Sequence, residues 1–126
     1  MVITKITTEE ILREKPSMRE VRLRKRTPIY AMFDNIRSLY NIGAMFRLSD
    51  AALVSKIFLI GQTGRPPRKE IDKSALGATE VVPWEYYKDG KEIIRKLKKE
   101  GVHIAALELA HQSTPYFKMK YRFHHA

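Results

Sequence analysis

The chain reads as an α/β domain in which helices flank a mostly parallel sheet. Apolar runs of strand length at residues 29–33 and 56–60 are closed by Asp34-Asn35 and by Gly61, as for strands buried on both faces. A segment with helical apolar spacing follows the first of them, and a second such segment follows Asp89. The resulting order, strand, helix, strand, strand, helix, strand with short connections, is that of a layered sheet rather than of a bundle or a sandwich.

Composition bounds the alternatives. With 126 residues, 44% hydrophobic and only six Gly and six Pro, the chain fits one modest core and neither a disordered nor a collagen-like class. The absence of Cys removes disulfide frameworks, thiolate zinc sites and cysteine nucleophiles. Residues 1–15 carry six charges where a signal peptide needs an apolar stretch, and no window approaches 18 apolar residues. A cytoplasmic protein with no membrane partner is expected.

Taken in order, Thr7-Thr8-Glu9-Glu10 has the pattern of a capping box, and Pro16 limits the helix it starts to about residues 8–15. Residues 17–27 hold few large apolar side chains and read as a basic extended arm or a second short helix; they are taken as a linker. Pro28 opens the first strand. Asn41 is a good N-cap for a helix over about 42–53, whose face is Ile42, Met45, Phe46, Ser49 and Leu53. After the second strand comes a stiff basic loop, Gly64-Arg65-Pro66-Pro67-Arg68-Lys69. A helical turn is expected at 73–76, a short strand at 79–82, an Asp89-capped helix with Ile93, Ile94 and Leu97 inward, and a last strand at 103–109.

Lys and Arg number 24 against 14 Asp and Glu, a net charge of +10. Residues 13–26 hold seven of the basic residues against Glu14 and Glu20, so half the surplus lies in 14 positions. A polyanion such as nucleic acid, or a surface tuned for solubility, accounts for the charge; its clustering favours nucleic acid.

Several chemistries lack their residues. No G-x-G-x-x-G, P-loop or G-x-S-x-G pattern occurs. His103, His111, His124 and His125 match no zinc spacing, and Asp50, Asp72 and Glu80 lack a second titratable group at catalytic spacing. The informative segment is 35–49, where a strand turns into a helix, the end of an open α/β sheet at which ligands bind. There Asn41 would cap the helix, Gly43 would admit a close substrate backbone, and Arg47 would aim a fixed charge at a phosphate or ribose. An ordinary surface helix with Arg47 paired to Asp50 accounts for the same spacing.

The arrangement Asn35, then Asn41-Ile-Gly43-Ala-Met-Phe-Arg47, then Asp50 resembles the first motif of the SpoU (TrmH-like) RNA 2'-O-ribose methyltransferases of the knotted SPOUT superfamily. Residues 73–84, Lys-Ser-Ala-Leu-Gly-Ala-Thr-Glu-Val-Val-Pro-Trp, and the strand at 103–109 extend the resemblance, which covers residues 28–123. Leu48-Ser49 departs from the family's frequent Thr-Ala. The resemblance implies that Arg47 approaches the target ribose and helps activate its 2'-hydroxyl toward the methyl of S-adenosylmethionine, with Asn35 shaping the site. A guanidinium suits that role, because a ribose hydroxyl is a weak nucleophile whose developing alkoxide needs a fixed positive charge.

The substrate implied is tRNA or rRNA, contacted by Asn41 and Gly43 and, through their charge, by Arg22, Arg24, Lys25 and Arg26 of the arm and Arg65, Arg68 and Lys69 of the loop. The family usually works as a homodimer with its active sites at the interface. Its members continue into Gly-Asn-Glu and Ser-Leu-Asn motifs that build the cofactor knot, and neither is present in these 126 residues. The expectation is a basic extension at 1–27 and an incomplete SpoU-type domain at 28–126. Such a domain would hold no cofactor-binding residues and be inactive alone, its knot lost to a frameshift, left out by truncation, or supplied by a second chain in a split-gene arrangement. The rival readings are a non-catalytic RNA-binding remnant and a basic protein of a ribonucleoprotein.

Overall fold

The computed structural model describes residues 4–122. Two short helices open it, each fixed by a purely local device. In α1, Thr8–Glu14, the Thr7 hydroxyl accepts from the Glu10 amide at 3.2 Å while the Glu10 carboxylate accepts from the Thr7 amide at 2.7 Å. That backbone hydrogen bond holds the Glu10 carboxyl below its ordinary pKa. Ser17 and Glu20 repeat the arrangement and start α2, Met18–Leu23, so half of the expected linker is helical. Ser-x-x-Glu is itself a start signal that outweighs the scarcity of apolar residues. Neither helix buries a residue.

Three parallel strands follow: β1 Thr27–Asp34, β2 Val54–Ile60 and β3 Trp84–Tyr87, in the order β1-β2-β3. The central strand is buried as expected. In β1 only Phe33 is buried, while Ile29 and Tyr30 are more than two-fifths exposed, so the expectation of burial on both faces fails there. Among the described residues the strand is an edge of the sheet, with a single pairing neighbour.

One face carries the larger core. Phe33, Ile57 and Leu59 of the sheet meet Ile42 and Phe46 of α3, Leu39–Ala51, and Ile71 and Ala75 of α4, Lys69–Ala75. The α3 helix begins at a Ser38 cap, whose hydroxyl accepts from the Asn41 amide at 3.2 Å. Asn41 is therefore inside the first turn and not the cap, since Ser and Asn cap equally well and Ser38 comes first. Gly43 lies where α3 and α4 touch: a Cβ there would collide with the Ser74 hydroxyl and the Ile71 carbonyl. The α4 helix starts four residues before the expected turn and ends on Leu76 in the left-handed region.

Residues 79–82 form no strand. A 3-10 turn, Ala78–Glu80, puts Ala78 and Val82 into the core under α3, and the strand begins at Trp84 because that residue registers with Ile57. On the other face α5, Gly90–Lys99, is capped by Asp89 and sets Ile93 and Leu97 against Phe58 and Ile60, with Ile94 only half-buried. The expected strand at 103–109 is absent as well: Val102 and Ile104 join the α5 cluster, but Leu107 and Leu109 are more than nine-tenths exposed. Strand composition gives a strand only where a neighbour pairs the backbone, and no described strand takes this run as its partner. Beyond it the Arg122 amide returns to His103 Nδ1 at 3.3 Å. Phe123, His124 and His125 lie outside the described residues. Among those described, no helix is long and apolar enough to cross a membrane.

Candidate functional site

The C-terminal ends of the three strands and the loops leaving them form the natural site of such a sheet. Asn35 holds two of these loops together. It leaves β1 with φ 52°, a left-handed conformation that Asn tolerates better than most residues. Its amide donates to the Ile60 carbonyl at 3.2 Å and its Oδ1 accepts from the Gln62 amide at 2.9 Å. Gly61, at φ 65°, cannot carry a side chain here, because its Cβ would strike the Asn35 Oδ1. Asn35 thus fixes the turn into α3 against the loop after β2.

Thr63, which the sequence did not single out, is the buried centre of that junction. Its hydroxyl accepts from the Ile36 amide at 3.1 Å and sits 2.8 Å from the Phe33 carbonyl and 2.7 Å from that of Ile60, so its one proton serves either. The signal for it was its place just past the Gly61 turn. Gly64 lies against Leu39 at the start of α3, where a Cβ would collide. The Tyr86 hydroxyl donates to the Gly61 carbonyl at 2.8 Å, and the Arg65 guanidinium lies 4.1 Å from the Tyr86 ring centroid. The loop is therefore set rigidly across the strand ends.

Arg47 is exposed, eight residues into α3 from Leu39 and so roughly 12 Å along its axis. Tyr40, seven residues earlier and two-thirds exposed, shares its stripe. Arg47 makes no ion pair among the described residues, while Asp50, three residues on, lies 3.5 Å from Arg26.

The Arg26 side chain is only 10% exposed and also donates to the carbonyls of Val54 at 3.1 Å and Val81 at 3.2 Å. It braces the fold rather than facing a phosphate, unlike Arg22, Arg24 and Lys25, which are exposed. Gly43 is likewise buried between helices, where no substrate backbone reaches it, while Asn41 is exposed. Arg65 and Arg68 are exposed on the loop and Lys69 is exposed at the first residue of α4, with Arg68 3.9 Å from Glu70. The structure thus joins Asn35 to the basic loop and sets Arg47 on a separate stripe of α3. Among the described residues no cluster of His, Cys, Asp or Glu could hold a metal.

Residues 28–126 match the SpoU rRNA Methylase family. The 23S rRNA (guanosine-2'-O-)-methyltransferase RlmB of Vibrio parahaemolyticus is 27% identical over 101 residues, which take in 80% of this chain and 40% of the relative. The protein of the same name from Vibrio vulnificus is 24% identical over 103 residues, with 82% and 41% covered. The chain thus spans about two-fifths of the length of the curated relatives it matches.

Among solved structures, an A. aeolicus TrmH/SpoU tRNA modifying enzyme superposes with a TM-score of 0.69 at 22% identity, over 81% of this chain and 53% of the other. An rRNA methyltransferase from Sinorhizobium meliloti gives 0.67 at 26%, over 79% and 39%. The first of these likenesses concerns the fold alone.

Proposed function

The chain belongs to the SpoU rRNA Methylase family, and from that premise we propose that it is the RNA-facing part of a 2'-O-ribose methyltransferase acting on rRNA or tRNA. The observation that carries the reading is the state of Arg47, a guanidinium exposed on α3 whose helical neighbour Asp50 is taken by Arg26. Such a fixed charge is suited to hold a ribose and its phosphate and to stabilise negative charge on the 2'-oxygen. Asn35 is a positioning residue that sets the turn into α3. Arg22, Arg24, Lys25 and the loop cations guide the polyanion by long-range attraction. Tyr40 and Leu48 on α3 and Leu76 after α4, each about two-thirds exposed, support self-association.

S-adenosylmethionine is the methyl donor that family membership implies, and the described residues do not fit it. Residues 103–109 form no strand to lead into a cofactor loop, and the cavity beside β3 turns Arg65 and Arg68 and no carboxylate toward a ligand of net positive charge. The role of the described residues in such an enzyme is RNA contact and ribose positioning, and the family's Gly-Asn-Glu and Ser-Leu-Asn motifs would supply the cofactor site.

The test is single-turnover methylation of rRNA and tRNA transcripts by the protein together with such a segment, read as resistance of the modified linkage to alkali. Arg47→Ala should lower the rate on the order of 10²–10³-fold while weakening RNA affinity modestly, because the contact strengthens only as charge develops. RNA binding without methylation in every combination would leave the non-catalytic RNA-binding reading in its place.

A further inference from the structure

The loop after β2 and the edge of β3 line an open cleft of about 590 Å³, within the size range of small-ligand sites. Its walls are Trp84 and Tyr86 of β3 with Gln62, Arg65, Pro66 and Arg68 of the loop. Trp84 and Tyr86 alternate with Glu85 and Tyr87 along the strand, so both flat rings turn to the same face, each half-buried against the core. Tyr86 is held by its hydrogen bond to the Gly61 carbonyl, and the Arg65 guanidinium is stacked over its ring. Arg68 adds a second guanidinium whose 3.9 Å approach to Glu70 is a weak surface pair. No carboxylate lines the cavity.

Aromatic rings and arginine planes are the surfaces on which unpaired bases stack, and the positive charge beside them suits the attached phosphate. We infer that this cavity takes one unpaired nucleotide of an RNA, its base against Trp84 and the Arg65–Tyr86 stack and its phosphate toward Arg68. The inference rests on the RNA-directed reading above and adds to it a base-recognition pocket apart from Arg47. S-adenosylmethionine also carries a base, but its net positive charge opposes two guanidiniums with no acid between them.

Trp84 is the only tryptophan of the chain, so its emission reports on this cavity directly. Titration of the protein with a fluorescein-labelled single-stranded oligoribonucleotide should quench Trp84 in step with the rise in anisotropy, whereas S-adenosylmethionine should leave the emission unchanged. Arg65→Ala, on an exposed loop outside the core, should weaken both signals about fivefold or more, the loss expected for one stacked base. Arg65→Lys should not restore them, because the charge returns without the plane.

RNA binding with unaltered Trp84 emission and unaltered affinity in Arg65→Ala would overturn the pocket and leave the RNA-directed reading standing. No RNA binding at all would overturn both. Quenching by S-adenosylmethionine in place of RNA would also overturn the inference, by assigning the cavity to the cofactor.

Discussion

Arg26 and Asp50 meet at 3.5 Å between the entry to β1 and the last turn of α3. The contact separates two arginines that look alike in sequence. Arg26, in the basic run, is turned inward onto Asp50 and the carbonyls of Val54 and Val81, while Arg47, three residues from Asp50 on the same helix, is exposed.

Arg26→Met should therefore destabilise the fold by about 1.5–3 kcal/mol, because two carbonyls and a carboxylate lose a charged donor. Arg22→Ala and Arg24→Ala should stay within about 0.5 kcal/mol, as expected for exposed positions. Urea unfolding of the three variants decides the matter. An unchanged midpoint for Arg26→Met would return that residue to the surface arm.

Gly43→Ala tests the helix contact. Alanine is intrinsically the better helix former by about 1 kcal/mol, yet its Cβ would collide with the Ser74 hydroxyl and the backbone oxygen of Ile71. Overpacking of this kind typically costs about 1–3 kcal/mol, so the net effect should be a lower melting temperature. Ser74→Ala should relieve only part of it, since the carbonyl remains. A rise in melting temperature would show that α3 and α4 do not pack this closely.

The outer face of the sheet supplies a dependence on pH. The Lys56 ammonium donates to Glu85 at 2.9 Å and the Tyr87 hydroxyl donates to the other carboxylate oxygen at 3.1 Å. The hydrogen bond from Lys56, then that from Tyr87, holds the Glu85 carboxyl below its ordinary pKa; Glu85 in turn raises Lys56 and Tyr87. A lowered carboxyl pKa stabilises the fold above the unfolded value, about 4.3, and that share is lost as pH falls through the folded value. The raised Lys56 pKa contributes below about 10.4 and is lost as pH rises through its folded value.

With both side chains more than a third exposed, the pair is worth about 0.2–1 kcal/mol. The stability gap between the protein and Glu85→Gln should be level near neutrality and close in acid. Denaturant midpoints measured across pH would refute the pairing if the gap persisted unchanged in strong acid.

What the sequence settled by itself is what short-range chemistry controls. Thr7 with Glu10 and Asp89 before Gly90 fix helix starts through hydrogen bonds spanning two or three residues, and the run ending β2 is apolar enough to occupy the centre of a sheet in almost any arrangement. The segment from Asn35 to Arg47 pointed, through its resemblance to the family's first motif, to the family to which the chain belongs. Tertiary structure decided everything that depends on a distant partner. Residues 103–109 have the composition of a strand and none of the pairing, β1 became an edge with Tyr30 open, and 79–82 yielded to a turn because Trp84 and not Thr79 registers with Ile57. Arg26 was indistinguishable from Arg24 until Asp50, 24 residues away, drew it inward, and Gly43 read as room for a ligand until α4 filled that room. A hydrogen bond within one turn of chain is specified by the residues that make it, whereas burial and pairing are set by which surfaces the whole chain brings together.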